Sequence, residues 1–299
     1  MTNSFTEHRP LAFSIAYNML GSVSEAEDIV QETFARLLES SSPITSPKAY
    51  IAKTATNLSI DHFRSARVRR ETYFGEWLPE PLVSDPGPEA HVEEKEELSL
   101  ATLALLENLT PTERAVFVLR EVLEFDYSEI STFVNKSPEN CRQLFARARK
   151  HIRDNKPRFD VPRAEKQKLA EQFFHMFRTG DTTELISMLT KDIVFHGDGG
   201  GNGLGLHKPL AGMTQVARFV AGLVRQVERW NVRFEPATVN GQPGAKFFMQ
   251  DGALIYVMAL DIADGHIVGI RSIINSAKLE HLGKVADIPA LLAAGPPKK

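Results

Sequence analysis

The chain has 299 residues, 42% hydrophobic and 24% charged, with a formal net charge of −3, which is ordinary for a globular protein of two or three domains. A single cysteine, Cys141, excludes an internal disulfide framework and a zinc site made of four cysteines. No apolar run approaches the roughly 18 residues of a membrane span, and the polar start is unlike a signal peptide, so we expect a cytoplasmic protein.

Residues 5–72 are predicted to form a helical domain. The first helix ends at Gly21, the second starts at the capping box Ser24–Glu27, and the third runs from Ser46-Pro47 to Arg70. Helical spacing predicts which side chains point inward. They are Val30, Phe34, Leu37 and Leu38 in the second helix and Ile51, Ala55 and Leu58 in the third.

The second and third helices carry opposite charge. The second has five acidic residues and one arginine, whereas the third has six basic residues and two acidic ones. Tyr50, His62 and Phe63 lie among the basic residues, a pattern that suits single-stranded nucleic acid, although Phe63 could equally belong to the core. These helices therefore suggest one surface for a protein partner and another for opened DNA.

Residues 73–97 are predicted to be a linker. The prolines of Trp77–Pro81 and Asp85–Pro88 cannot continue a helix. Between Glu76 and Glu97 there are eight acidic residues and one lysine. Such a segment is either simply solvated or transiently masks the basic elements on either side.

Residues 98–158 are predicted to form a second helical domain that ends in a helix-turn-helix. Cap patterns at Thr110, Asp126 and Ser137 start three successive helices, with a polar turn at Asn135-Lys136. The last helix has an apolar face and a basic, amide-bearing face, as a helix in a DNA major groove requires. Seven basic residues against two acidic ones lie between Ser137 and Arg158. The apolar face holds Cys141, Leu144 or Phe145, Ala148 and Ile152, and the basic face holds Gln143, Arg147 and Lys150.

The remaining residues are predicted to form an α+β domain. Helices over Lys166–Arg178 and Met213–Val227 precede strand-like runs that begin at Val232. Turns at Asn240-Gly241, Asp251-Gly252 and Asp264-Gly265 separate these runs. His196, Asp198 and Arg271 are candidates for acid/base chemistry in an apolar cavity, or alternatively His196 and Asp198 only shape a turn. The glycine cluster lacks the Lys-Ser/Thr ending of a phosphate-binding loop, and no metal or cofactor set is evident.

Five segments resemble the extracytoplasmic-function sigma factors of bacteria, in the family's order. They are Glu25–Phe34, Ala49–Arg64, Leu109–Val122, Tyr127–Ile130 and Asn140–Arg149. The resemblance implies that the protein binds core RNA polymerase and promoter DNA, as duplex at the −35 element and as opened strand at the −10 element.

The resemblance also implies which residues make these contacts. Core polymerase would be bound by Glu25, Asp28, Gln31 and Glu32. The −10 element would be bound by Lys53, Asn57, Asp61, Arg64 and Arg67. The −35 element would be bound by Ser137, Asn140, Arg142, Gln143, Arg147 and Lys150.

Residues 163–285, followed by a tail over 286–299, are similar to SnoaL-like domains of the nuclear transport factor 2 fold, a cone with a curved antiparallel sheet. The chain resembles the sigma subgroup with such a domain, having its Trp-Leu-Pro-Glu-Pro linker at Trp77 and its Asp-Gly-Gly-Gly motif at Asp198. Where that subgroup has Asn-Pro-Asp-Lys-Leu, this chain has Asn275-Ser-Ala-Lys-Leu279. The implied regulatory residues are Trp77, Leu78, Pro79, Asp198, Gly199, Gly200, Gly201, Asn275, Lys278 and Leu279.

The sequence therefore predicts a multidomain protein, with two all-α sigma domains followed by an α+β cone. We expect a non-catalytic sigma factor without cofactor or metal, regulated in cis by its C-terminal domain. The sequence does not decide whether the cone binds a small-molecule ligand. The alternatives are a SnoaL-like enzyme or ligand sensor with a DNA-binding helix-turn-helix, and an ordinary repressor or activator.

Overall fold

The computed structural model describes residues 2–41, 43–71, 73, 75–84, 98–155, 161–200 and 206–295. The chain divides into two compact units. One unit, here called the helical unit, comprises residues 1–72 and 91–156. The other, called the sheet unit, comprises residues 73–90 and 157–299. Among the residues described, no helix is long and apolar enough to cross a membrane.

The first part of the helical unit is a three-helix bundle of α1 (Thr2–Leu20), α2 (Val23–Glu39) and α3 (Pro47–Glu71). Two details of the sequence prediction are wrong. The cap of α2 is Ser22, whose hydroxyl accepts the Glu25 N–H at 3.2 Å, rather than Ser24. Leu38 is 59% exposed because the buried stripe of α2 ends at Phe34, about one turn before the helix does.

The second part contains α4 (Leu100–Leu106), α5 (Pro111–Phe117), a π-helical turn (Val118–Val122), α6 (Tyr127–Val134) and α7 (Pro138–Asn155). The three predicted helix starts are confirmed. Glu113 and Glu129 accept the backbone N–H groups of the residues three positions earlier, at 3.2 and 3.0 Å, and the Ser137 hydroxyl accepts the Asn140 N–H at 3.2 Å. Asn135 joins α6 to α7 in the left-handed conformation, with φ of 53°.

The sheet unit is built on one seven-stranded sheet and four helices within its described residues. The helices are α8 (Arg163–Thr179), α9 (Leu185–Met188), α10 (Met213–Arg229) and α11 (Ile288–Ala294). The strands are β1 (Val83–Ser84), β2 (Leu189–Asp198), β3 (Leu210–Ala211), β4 (Arg233–Val239), β5 (Gln242–Phe248), β6 (Leu254–Ala263) and β7 (His266–Ile273).

The strand order is β1-β4-β5-β6-β7-β2-β3, and every pair is antiparallel except β2 with β7. The predicted Asn240-Gly241 and Asp264-Gly265 turns are confirmed as tight hairpins, since both residues of each have positive φ. On one face of the sheet, Phe174 and Phe177 of α8 pack against the β-strand rings of Phe234 and Phe247, with ring centroids 5.3–6.4 Å apart.

The last described residues before the gap at 85–97 form an edge of this sheet. Val83 of β1 pairs with Val239 of β4, and the Leu82 N–H is donated to the Asn240 side-chain oxygen at 3.0 Å. Residues 73 and 75–84, which the sequence predicted as part of a linker, thus pack with the C-terminal fold. Most of the predicted acidic run, residues 85–97, lies outside the described residues.

Candidate functional site

The last helix of the helix-turn-helix presents the predicted basic face to solvent. Gln143, Arg147 and Lys150 of α7 are exposed, whereas Cys141, Ala148 and Ile152 are buried. Burial raises the pKa of the Cys141 thiol, which stays neutral as a core side chain. The helix is therefore anchored by its apolar side and exposes amide and guanidinium donors on the other, where the Arg147 guanidinium lies 3.9 Å from the Glu113 carboxylate.

The remaining predicted −35 residues are in the first turns of α7. Ser137 caps the helix, and the exposed Asn140 follows it. The Arg142 guanidinium lies 5.4 Å from the centre of the Tyr127 ring and 3.3 Å from the Glu139 carboxylate. The contact with Tyr127 holds Arg142 against the neighbouring helix α6, whereas Glu139 lies on α7 itself.

The predicted −10 residues of α3 follow one exposed line. Lys53, Asn57, Asp61 and Arg64 are all exposed, and Arg64 pairs with Asp61 at 3.0 Å. The side chain of Arg67 lies outside the described residues. The stacking interpretation of Phe63 is wrong, because its ring is fully buried in the core of the helical unit.

The acidic α2 also exposes most of its predicted partner-binding residues. Asp28, Gln31 and Glu32 are exposed, with Glu32 2.7 Å from the Arg36 guanidinium. Glu25 instead lies 3.2 Å from the His62 imidazole of α3. This contact ties the acidic helix to the basic one.

Within the helical unit, the predicted −10 residues touch the helix-turn-helix. The Asn57 amide donates to the Phe133 carbonyl of α6 at 3.1 Å. In the same unit Arg114 of α5 is fully buried, with its Nε donating to the Asn18 carbonyl at 3.0 Å. The Arg114 guanidinium also pairs with Glu107 and lies 4.8 Å from the centre of the Phe63 ring. One buried cation thus joins the two halves of this unit.

In the sheet unit, a second cluster surrounds Asp198 at the end of β2. Its carboxylate is fully buried and accepts the Leu78 N–H at 2.8 Å and the Lys278 ammonium at 2.6 Å. It also accepts the Tyr73 hydroxyl and the Gly200 N–H, the latter at 3.1 Å. One carboxylate therefore binds the segment around Trp77 to the C-terminal fold.

Lys278 and Asn275 complete this cluster. The Lys278 ammonium donates to the Leu78 carbonyl and lies 4.3 Å from the centre of the Trp77 ring. The Asn275 amide donates to the Tyr73 hydroxyl at 3.0 Å. Burial, together with the neighbouring carboxylate, raises the pKa of Tyr73 well above its usual range, so its hydroxyl stays a donor.

Most of the regulatory residues implied by the resemblance thus lie together, with Pro79 and Leu279 buried beside them. Gly201 is outside the described residues. Tyr73 and Glu76 also belong to the cluster but were missed, because no short motif marks them. Glu76 binds the His196 imidazole at 2.5 Å and the Gly197 N–H at 3.2 Å.

The candidates for acid/base chemistry do not face the cavity of the sheet unit. Phe195 and Gly197 line that cavity, so His196 and Asp198, which alternate with them along β2, point to the other face. Ser272 likewise lines the cavity, which turns Arg271 away from it, and Arg271 pairs with the buried Asp261 at 2.9 Å. Of the interpretations that the sequence left open for these side chains, the one that places them in an apolar cavity is therefore wrong.

Gly200 gives a direct test of the packing around Tyr73. Its φ is 75°, and an added Cβ would lie 2.8 Å from the Asn275 side-chain oxygen. Gly200→Ala should therefore destabilise the sheet unit in urea denaturation by about 1–3 kcal/mol more than Gly252→Ala, because the overpacking adds to the backbone strain that both positions share. Gly252→Ala is the matched control, since Gly252 has a similar φ of 81° but a Cβ added there would meet nothing within 4 Å. Equal losses in both variants would contradict the proposed clash.

Two family models match the helical unit: Sigma-70 region 2 over residues 5–69 and Sigma-70 region 4 over residues 99–152. The chain is 31% identical to the ECF RNA polymerase sigma factor SigJ of Mycobacterium tuberculosis, with 92% of each chain covered. It is 30% identical to the probable ECF RNA polymerase sigma factor SigI of that organism, covering 92% of this chain and 93% of the relative. The crystal structure of SigJ superposes with a TM-score of 0.74 at 28% identity, covering 94% of this chain and 98% of that one.

Proposed function

Because the chain belongs to the extracytoplasmic-function sigma factors, we propose that its sheet unit controls in cis when its two DNA-binding regions engage a promoter. As a sigma factor, the protein directs core RNA polymerase to promoters and initiates transcription there. The acidic face of α2 docks on polymerase, the exposed line of α3 holds the opened −10 strand, and the basic face of α7 reads the −35 duplex.

The observation that carries this proposal is the Asp198 cluster. Residues 73 and 75–84 lie in the chain between the −10 region and the −35 region, yet the buried carboxylate of Asp198 binds them to the sheet unit and their short strand β1 pairs with β4. The C-terminal fold therefore holds part of the linker that joins the two DNA-binding regions. A contact within one chain benefits from a high effective concentration, so modest interactions can hold it.

In this mechanism the compact helical unit, with its two halves in contact, is the form of the protein before it binds a promoter. By their positions the −35 and −10 elements lie about 25 base pairs apart, which is ~85 Å at 3.4 Å per base pair. The Asn57–Phe133 contact instead puts the −10 residues directly against the helix-turn-helix. Since α6 and α7 are 8 and 18 residues long, they extend only ~12 and ~27 Å at 1.5 Å per residue. The two halves must separate before both elements are bound.

Within this mechanism the sheet unit binds the segment around Trp77, and it is not catalytic. His196, Asp198 and Arg271 are each held by a partner on the face of the sheet away from the cavity. A small molecule in the cavity would change how often the segment around Trp77 is released only if it binds the form with this segment held and the form with it released with different affinity.

Truncation tests the regulatory role. Chains that end at Asn275 or at Pro162 should differ from the full chain in run-off transcription with core polymerase. The first truncation removes Lys278, and the second removes every residue of the C-terminal fold that binds the segment around Trp77. A full chain carrying Asp251→Asn serves as the control, because this carboxylate is exposed and pairs with Lys284 rather than with a residue of the cluster. If both truncated chains transcribe like the full chain from every promoter tried, regulation in cis is excluded.

Arg147 tests the −35 assignment. Its side chain is 64% exposed on the basic face of α7. Arg147→Ala should weaken −35 binding and relax base choice by about 1–3 kcal/mol if the guanidinium is bidentate to a guanine. Binding is measured with a set of −35 duplexes that differ at single base pairs.

The matched control is Arg149→Ala on the same helix, outside the assigned reading set. Loss of a phosphate contact weakens all duplexes alike and lowers the salt dependence of binding. If Arg147→Ala also weakens every duplex equally, Arg147 does not read bases.

A further inference from the structure

Three arginines form a row along the exposed face of α10 in the sheet unit. Arg218, Arg225 and Arg229 are all exposed. Their i, i+7, i+11 spacing places them on one line of the helix, over about 16.5 Å at 1.5 Å per residue. The same periodicity puts the buried valines of α10 on the opposite side. These valines are Val216, Val220, Val224 and Val227. The arginine row therefore faces away from the sheet.

The arginine row has no partner within the residues that the structure describes. None of the three guanidinium groups makes an ion pair, a hydrogen bond or a ring contact there. By contrast, Arg233, Arg271 and Lys284 of the same unit each pair with a carboxylate. The one acidic residue of α10, Glu228, lies beside Gly180 after α8. The charge of the row is therefore not neutralised by the fold.

Gly222 lies in the row between Arg218 and Arg225. Glycine inside a helix is less favourable than alanine. Packing does not require it here, because an added Cβ would meet only the Arg225 guanidinium, at 4.0 Å. Glycine is favoured where another backbone approaches closely. The preceding Ala221 is also short, so no long side chain lies between the first two arginines.

We propose that this arginine row binds the phosphate backbone of duplex DNA, which gives the protein a DNA contact outside its two sigma regions. Guanidinium groups match phosphate oxygens in geometry and charge. One strand of B-DNA presents a phosphate about every 3.4 Å along the axis, so a row of about 16.5 Å spans roughly five base pairs.

The exposed side chains of α10 favour DNA over other partners. They are all polar or charged, whereas a protein interface has an apolar core and a membrane-bound helix inserts large apolar side chains. A sigma factor also works on DNA, so phosphates are close to it during promoter binding. The inference goes beyond the regulation proposed above, which requires no contact between the sheet unit and DNA.

The test compares the full chain with the triple variant Arg218→Gln/Arg225→Gln/Arg229→Gln. Fluorescence anisotropy measures binding to a duplex of random sequence between about 50 and 200 mM salt. Losing three phosphate contacts should reduce the slope of log affinity against log salt by about 2.7. Over this fourfold range of salt, the parent should therefore lose about 40-fold more affinity than the variant.

A second triple variant, Lys168→Gln/Lys191→Gln/Lys284→Gln, is the matched control. These lysines are exposed in the same unit but lie outside α10, and the net charge changes equally. Its salt slope should stay close to that of the parent. Both triple variants should unfold in urea like the parent, because the substituted side chains are exposed.

Gly222→Glu separates DNA binding from folding. The new carboxylate would lie four residues after Arg218 and three before Arg225, where it can pair with both. Thermal stability should rise, because glutamate forms helix better than glycine, while DNA affinity should fall. Damage to the fold would lower both quantities together.

Three results would each overturn the inference: a parent-like salt slope in the arginine variant, equal reductions in the two triple variants, or parent-like DNA affinity in Gly222→Glu. Polymerase does not enter this assay, and the truncation experiment measures transcription. Regulation in cis can therefore stand if the arginine row fails to bind DNA, and the reverse also holds.

Discussion

Asp198→Asn should destabilise the sheet unit by about 3–5 kcal/mol, because it removes one partner of a buried ion pair. The carboxylate is fully buried, and the Lys278 ammonium 2.6 Å away is only 7% exposed as a residue. The substitution also weakens an acceptor for the Leu78 N–H, so the segment around Trp77 should come free. Urea denaturation measures the loss. A red shift of emission in a Trp230→Phe background, which leaves Trp77 as the one tryptophan, and faster proteolysis near Tyr73 report the release.

Asp251→Asn is the matched control for this experiment. Asp251 also pairs with a lysine of the sheet unit, Lys284, but both side chains are more than half exposed. Solvent screens such a pair, so its loss should hardly change stability. The double variant Asp198→Asn/Lys278→Met should recover much of the lost stability, because it removes the buried ammonium as well.

Promoter-dependent transcription should change in Asp198→Asn in the same direction as in the chain truncated at Asn275. Both changes disturb the contact of Lys278 with the segment that joins the two DNA-binding regions. Parent-like denaturation and parent-like Trp77 emission would together show that Asp198 does not hold this segment.

The helix starts were predictable because their interactions are local. At Thr110, Asp126 and Ser137, cap and partner are three residues apart, so the chemistry is visible in four letters of sequence. The misplaced cap of α2 shows the limit of this logic. Ser22 and Ser24 are both capping residues, and the pattern alone does not decide between them.

The Asp198 cluster was predictable only from the family resemblance. Its bonds join Leu78 to residues 120 and 200 positions away, and no periodicity encodes such pairs. Alternation along β2 places His196 and Asp198 on one face, but it does not tell which face the helices cover. For that reason the sequence left open whether these side chains enter the cavity, whereas the structure turns them toward Glu76 and Leu78.

Arg114→Ala should open the helical unit and increase the affinity of the free chain for a −35 duplex. Arg114 contacts Asn18 and Phe63 of the first half and Glu107 of the second. Its removal therefore weakens the contact between the two halves. Breaking a buried pair from one side costs about 3–5 kcal/mol. Every 1.4 kcal/mol taken from the closed form raises a minor open population about tenfold. Fluorescence anisotropy without polymerase measures the affinity, and small-angle scattering measures the opening.

Arg120→Ala separates opening from simple damage to the helix-turn-helix. Arg120 donates to the Phe125 carbonyl at 2.9 Å and lies 5.1 Å from the Tyr127 ring centre, contacts that stay within the second half. This variant should lose stability without any gain in DNA affinity. If Arg114→Ala lowers affinity in parallel with stability, as expected for Arg120→Ala, then Arg114 only supports the fold of the −35 region. A gain confined to Arg114→Ala would mean that contact between the two halves is what restrains this sigma factor before it reaches polymerase.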